Sequence, residues 1–229
     1  MKRKAFTAAF PYTIPVFMGY LFLGIAFGVL LSSKGFHVGW ALLMSLTIYA
    51  GAMQFVAIGL LIGPFGLLNT FIVTLTVNAR HLFYGLSVLE KFKESGKFKP
   101  YLIFSLTDET YSLLCSIEPP GSVDRKWFMF FLAVLNHFYW VLGSVLGAAA
   151  GSLITFDSTG IDFAMTALFI VIFVERWESS KQHLPALLGV CISVVSLLVF
   201  GPEHFIIFAM LGILTSLILL HKKMVRRTI

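Results

Sequence analysis

Residues 11–32 read PYTIPVFMGYLFLGIAFGVLLS, a run without a charged side chain. A helix needs roughly 20 apolar residues to cross a bilayer, and this run is long enough. The basic patch Lys2-Arg3-Lys4 precedes it, so a signal peptide is the competing reading. The apolar part of a signal peptide is only about 7–15 residues and ends at a cleavage site. The run outlasts that length with no clear cleavage site after it, and it reads as a first retained span.

The rest of the chain has the same character. Of 229 residues 58% are hydrophobic and 12% charged, with a mean hydropathy of +0.90. Soluble domains carry about 25% charged residues, so this chain has too little polar surface to cover a soluble core. Apolar blocks recur at 11–32, 40–61, 66–89, 100–117, 127–151, 161–175, 184–200 and 204–221. A β-barrel would alternate in shorter segments, so the blocks predict an all-α polytopic bundle of about seven to eight transmembrane helices. A single permease domain over 1–229 is expected. The block at 161–175 is short for a full span, and Glu175, Arg176, Trp177 and Glu178 after it are expected in a loop.

The net charge of +6 comes from Lys2-Arg3-Lys4, from Lys91 to Lys99 and from the Lys222–Arg227 region. These sit at the ends of apolar blocks and read as positive-inside anchors. No aromatic-and-basic stripe suggests nucleic acid as a partner. Eight simple passes put both termini inside but leave the Lys91–Lys99 loop outside. A re-entrant segment near Ala50-Gly51-Ala52 brings that loop in, yet flips the C-terminus unless a second one compensates. Charge counting alone leaves this open. Two halves, roughly 1–95 and 125–225, each open with spaced glycines: Gly24 and Gly28, then Gly143, Gly147 and Gly151. Small residues at that spacing let helix backbones approach. Two pseudo-repeats, as in many secondary transporters, and ordinary packing glycines account for them equally well.

Ionisable groups at bilayer depth are expensive and mark function by default. The first cluster is Asp108-Glu109. On a continuous helix Ser105, Asp108, Glu109 and Ser112 share one face, with Thr107 and Tyr111 in a row beside it. Such a face lines a cavity for an ammonium group or a proton, or pairs with cations from other helices. The second is Asn78-Ala79-Arg80-His81. Thr74, Asn78, His81 and Gly85 fall on one face, and Thr76, Arg80, Tyr84 and Ser87 on the next. Arg80 is always charged, and its fork suits a carboxylate, from substrate or from Asp108 or Glu109. His81 is suited to titrate in the working range. Snorkelling of both to an interface is the plain alternative. Third, the small residues of Tyr49-Ala50-Gly51-Ala52-Met53-Gln54-Phe55 permit a helix break, whose free backbone groups would face a cavity. Packing around one satisfied Gln54 is the alternative. Pro11 and Pro15 either kink the first block or mark its entry. Asn136, His137, Tyr139 and Trp140 form a polar-aromatic cluster that lines a cavity or belongs to an interfacial belt.

Other chemistries are missing from the sequence. There is no Walker-type loop, no histidine pair at metal-ligand spacing and no nucleophile elbow, so neither an enzyme nor a cofactor or metal site is expected. Adjacent acids point about 100° apart on a helix and cannot form a protease dyad. Cys115 and Cys191 lie in apolar stretches and read as small buried hydrophobes.

The same three segments, Tyr49–Phe55, Asn78–Gly85 and Leu106–Tyr111, resemble the signature segments of the AzlC family of branched-chain amino-acid permeases, and Ala164-Met165-Thr166-Ala167-Leu168-Phe169 is similar too. The resemblance runs from the N-terminal block to the last helix. It implies a multi-pass protein of the bacterial inner membrane that exports leucine, isoleucine and valine, with methionine or toxic analogues as further substrates. It also implies a small AzlD-type membrane subunit as partner.

A branched-chain amino acid is a zwitterion with an apolar side chain, so its site needs a cation, an anion and a greasy pocket. Arg80, or backbone donors near Gly51 and Gln54, is expected to receive the carboxylate, with Asn78 beside it. Asp108 or Glu109 is expected to take the ammonium or the coupling proton, with His81 as a further titrating group. Phe55, Phe83 and Trp140 are expected in the apolar wall. The alternatives are a channel for another small solute and a non-transporting scaffold for a small partner; a homo-oligomer is left open as a further partner state.

Overall fold

The computed structural model describes residues 2–64, 66–121, 123–153 and 183–225, with 163, 166–167, 170, 173–174 and 177–178 between them; of residues 202–204, 206–207, 210, 214, 218 and 221–225 it describes the backbone alone. Most of the 161–175 block lies outside the described residues, as do Ala164, Met165, Leu168, Phe169, Glu175 and Arg176. Regular structure among the described residues is helical throughout, as the apolar blocks predict. Among the described residues, three helical stretches are long and apolar enough to cross a membrane: Lys2–Ser33, Arg125–Leu153 and Leu184–Gly201. The chain divides into two compact units, 1–168 and 169–229.

The first unit is built on two long helices, α1 (Lys2–Ser33) and α7 (Arg125–Leu153). Their glycines face each other. A Cβ on Gly24 would fall 2.9 Å from the Ser144 backbone nitrogen, and one on Gly143 would fall 2.9 Å from the Tyr20 carbonyl. A Cβ on Gly28 or Gly147 would run into the opposite backbone, at Ser144 and Ala148 or at Ile25. Backbone therefore packs on backbone, which only glycine permits. Along the seam Lys2 lies over Trp127, Phe6 meets Phe131, Tyr20 meets Trp140, and Ser32 meets Gly151. Both numbers rise together, so the helices run parallel. Pro11 and Pro15 sit inside α1. Thr13 Oγ1 donates to the Phe10 carbonyl at 2.8 Å, a side-chain bond in the turn where Pro15 has no N–H to give.

Two of the apolar blocks are each a pair of half-helices. Block 40–61 is α2 (Val38–Thr47) and α3 (Gly51–Ile62), broken at Tyr49, whose φ is +42°. The break that the small residues permit is present, and so is the satisfied Gln54 of the alternative. The two arms face each other through Gln54 Nε2 donating to Ser45 Oγ at 3.2 Å, so the pair is a hairpin with its tip at 48–50. Block 100–117 is α5 (Lys99–Phe104) and α6 (Asp108–Ser116), broken at 105–107. At about 1.5 Å per residue each half is well short of a bilayer core. Both arms of the first hairpin are apolar, so hydropathy joins them, whereas α6 opens with Asp108 and Glu109.

α4 (Leu67–Val88) returns to the end of the unit where α1 starts. Val88 and Phe92 share a core there with Ala9, Leu102, Leu114 and Phe128. A 3-10 turn over Lys93–Phe98 follows, and Phe98 packs on Trp127 at 4.7 Å. Lys2, the Lys91–Lys99 loop and Arg125 thus lie at one end. At that end Glu118 bonds Lys91 at 3.0 Å and Arg125 at 3.4 Å. The lysine ammonium holds the Glu118 carboxyl below the usual range.

The second unit contains α8 (Leu184–Val225), a helical hairpin bent at Gly201, where φ is +70°. Phe208 stacks on Phe200 at 3.8 Å, and Gly212 abuts Ile192. The bend separates the expected blocks 184–200 and 204–221. Trp177 and Glu178, expected in a loop, are helical. Trp177 is held by Phe173 one turn before it and by stacking on His183.

Candidate functional site

The two hairpin tips meet against the α1–α7 pair. Tyr49, at the first tip, stacks on His137 of α7 with ring centroids 4.0 Å apart and lies 6.2 Å from Phe104 at the end of α5. Ala50 caps α3 with no side-chain hydrogen bond. The N–H groups of Gly51, Ala52 and Met53 therefore have no intrahelical acceptor, as in any first turn. Gly51 faces the Trp140 ring, where a Cβ would come within 3.1 Å. Gln54 accepts from Trp140 Nε1 at 2.7 Å and donates to Ser45, so its amide is engaged on both sides. Phe55 packs edge-on against Phe27, which also stacks over Trp140.

The second tip is closed by a side chain. Thr107 Oγ1 accepts from the Thr110 N–H at 3.2 Å, a standard N-cap. Because the helix begins at Asp108, Ser105 does not extend the face of Asp108, Glu109 and Ser112. Ser105 caps α5, and its hydroxyl bonds the Leu102 carbonyl. The local reason is that Ser105 and Thr107 both satisfy backbone groups with their own hydroxyls, which competes with a continuous helix.

The adjacent acids go to different partners. Asp108 pairs with Arg80 Nη1 at 2.8 Å and accepts from the Tyr84 hydroxyl at 2.8 Å. Their side chains are 31% (Arg80) and 18% (Asp108) exposed, so the pair is reachable. Tyr84 stacks on Tyr111 at 4.3 Å, and Ser87 donates to the Tyr111 hydroxyl at 3.0 Å. The row Arg80–Tyr84–Ser87 read from helical spacing is therefore one working face. Glu109 instead accepts from Tyr20 Oη of α1 at 2.7 Å. Tyr20 Oη lies 2.5 Å from Thr107 Oγ1, Thr107 donates to Thr110 at 3.0 Å, and Asn136 Nδ2 donates to Thr110 at 3.1 Å.

Of the expected site residues, Gly51, Gln54, Phe55 and Trp140 form one cluster, and Arg80 and Asp108 another. Glu109 sits beside the second cluster, next to Tyr20. Asn78 and His81 stay on α4, where His81 Nδ1 lies 3.2 Å from the Asn78 carbonyl and the ring meets Tyr84. Phe83 is not brought to the others: it is 61% exposed. Tyr20 carries no sequence signal, being one aromatic in an apolar run, 89 positions from its acid. His137 bridges the Ser45 carbonyl and the Tyr101 hydroxyl, each at 3.0 Å. The Asn136–Trp140 cluster in the sequence was its only trace.

Comparison with known proteins gives a consistent picture. Residues 15–154 match the family model described as AzlC protein. The chain is 52% identical over 218 residues to the branched-chain amino acid transport protein AzlC of Bacillus subtilis, covering 95% of this chain and 86% of the relative. It is 47% identical over 221 residues to an uncharacterized membrane protein of Helicobacter pylori, covering 96% and 97%. With the inner membrane protein YgaZ of Escherichia coli it shares 28% identity over 176 residues, covering 75% and 71%. No solved structure matches the chain.

Proposed function

The chain belongs to the AzlC family of membrane transport proteins, and from that premise we propose that it is a secondary-active permease exporting leucine, isoleucine and valine. Coupling to protons, residence in the bacterial cell membrane and a small AzlD-type subunit as companion are parts of the same reading. The lysine and arginine clusters at one end of the first unit support a cytoplasmic face there.

The reachable Arg80–Asp108 pair carries the reading. A zwitterion offers the same two charges, so a bound amino acid replaces the pair term by term: its carboxylate takes the guanidinium fork and its ammonium takes Asp108. The free N–H groups at Gly51 are a second place for the carboxylate. Trp140, Phe27 and Phe55 supply an apolar wall for a branched side chain. Glu109 has no cation within salt-bridge distance among the described residues and takes the coupling proton.

The test is counterflow of radiolabelled leucine in liposomes holding this chain with its small companion. Leucine exchange that unlabelled isoleucine and valine compete for is the expected result. Absence of any leucine flux, with and without the companion, would overturn the reading.

A further inference from the structure

The first turns of α1 and α7 break a local rule. The two helices run parallel, so both N-termini stand at the same end, and neither first turn holds an acid. Lys2, Arg3 and Lys4 open α1, and Arg125 and Lys126 open α7. The macrodipole is positive at a helix N-terminus and favours anions there, so these cations oppose it. A local rule broken with no gain inside the fold points to function. The acids nearby are mostly engaged. Glu118 pairs with Lys91 and Arg125, and Glu90 with Lys93. One oxygen of Asp124 accepts from the backbone N–H groups of Lys126 and Trp127. Among the described residues Lys2, Arg3, Lys4, Lys97, Lys99 and Lys126 make no ion pair, with Glu94 or any other acid.

Two of these cations rest on one aromatic cluster. Lys2 Nζ lies 4.6 Å from the Trp127 ring centroid, and Lys97 Nζ lies 5.8 Å from that of Phe98. The two rings meet edge-on at 4.7 Å. Lys126 adjoins Trp127 in the chain, and all three lysines are exposed. Phe131 stacks on Trp127, and Phe6 packs on Phe131. From there Phe6, Phe10 and Ile14 follow one another along α1 at one-turn steps, 41%, 45% and 47% exposed. Orienting a chain in the membrane needs only enough cations on one side. It does not need them at two helix starts around a shared ring cluster that opens onto an apolar track.

We propose that Lys2, Lys97 and Lys126, around Trp127, bind the phosphate of an anionic diacyl phospholipid whose acyl chain lies along Phe6, Phe10 and Ile14. A lysine ammonium is a compact point charge with three donors, which suits a phosphate. A zwitterionic headgroup brings its own ammonium, which these unpaired cations repel. A phosphate without acyl chains gains nothing from the apolar track. The bound headgroup supplies the anion that the starts of α1 and α7 lack, and so stabilises both.

The site is independent of which solute the chain carries, and its test needs no transport. The full chain, purified in a non-ionic detergent, is offered equal amounts of phosphatidylglycerol and phosphatidylcholine. Retained lipid is counted by native mass spectrometry, and thermal melting is followed with each lipid alone. The native protein is expected to retain phosphatidylglycerol at least about fivefold over phosphatidylcholine, the scale of a single lysine beside an anionic surface, and to melt higher with it. Lys2→Gln with Lys97→Gln and Lys126→Gln is expected to lose that preference, and arginine at the same three positions to keep it. Glutamine at Lys222, Lys223 and Arg227 removes the same charge from the other end of the sequence and is expected to leave the preference unchanged. Equal retention of the two lipids by the native protein overturns the site. An unchanged preference in the first glutamine triple overturns it too, as does an equal loss in the second. Glycerol phosphate, which lacks the chains, is expected to leave the melt unmoved. A shift as large as that given by phosphatidylglycerol overturns the lipid assignment.

Discussion

The two hairpin tips are built in opposite ways. At 48–50 the chain turns through a tyrosine at positive φ, and α3 starts with bare N–H donors. At 105–107 it turns through hydroxyl residues; Thr107 caps α6, and the next two residues are carboxylates. One tip is rich in donors and the other in acceptors, and they meet at Tyr49 and Phe104. A helix break exposes backbone polarity in either case; what the side chains do there decides which charge the site favours. Opposed breaks of unlike character suit a solute that carries both charges.

Removing the acceptor tip's charge should have the largest effect. Asp108→Asn is expected to cut leucine counterflow by at least about thirtyfold, the equivalent of roughly 2 kcal/mol for an unpaired partner, with normal amounts of protein in the membrane. Retained counterflow would dissolve the distinction between the tips. On the donor side, Gln54→Leu strands the buried Trp140 indole N–H and should cost about 1–3 kcal/mol of stability in a thermal or denaturant melt. An unaltered melt would mean that the Gln54 bridge does not support that tip. Making the tips alike comes next. Ala50→Ser gives α3 the cap it lacks and Thr107→Ala removes the cap from α6, with expected changes of about +0.5 to +2 and −0.5 to −2 kcal/mol respectively. If the bare donors serve the substrate, Ala50→Ser also weakens leucine binding.

The smallest effect belongs to the basic end, away from both tips. The Glu118 carboxyl is held below its ordinary range by Lys91. Its contribution is present above the unfolded-state pKa and is lost as pH falls through the lower folded value. Since the group is exposed, Glu118→Gln should change stability little at neutral pH. It should also slightly flatten the acid limb of a stability-against-pH curve.

The tips also mark where the sequence becomes hard to read. The uncharged run at 11–32 is enough to call for a long helix, and the glycines opposite it are legible because backbone contact leaves a four-residue spacing. Blocks 184–200 and 204–221 separate at Gly201, which has the residue type such a bend demands. Block 40–61 is apolar on both sides of its break, so composition reports its length and not its reversal, and only the small residues at 50–52 hinted at one; in 100–117 the polar stretch Ser105–Glu109 falls at the break, but a single helical face can be drawn through it. For the site, helical spacing placed Arg80 and Tyr84 on one face, and both reach Asp108. The same spacing failed for Ser105, because the cap at Thr107 restarts the helix. Tyr20 was invisible, since nothing within its own helix requires a hydroxyl there.

The meeting of the tips can be measured directly. In a chain whose Cys115 and Cys191 are replaced by serine, Tyr49→Cys with Phe104→Cys is treated in native membranes with a short bifunctional thiol reagent. Phe6→Cys with Phe131→Cys across the α1–α7 seam, whose rings lie 5.5 Å apart, serves as the control pair. The account predicts that both pairs link within one chain. Linking of the seam pair alone would contradict it.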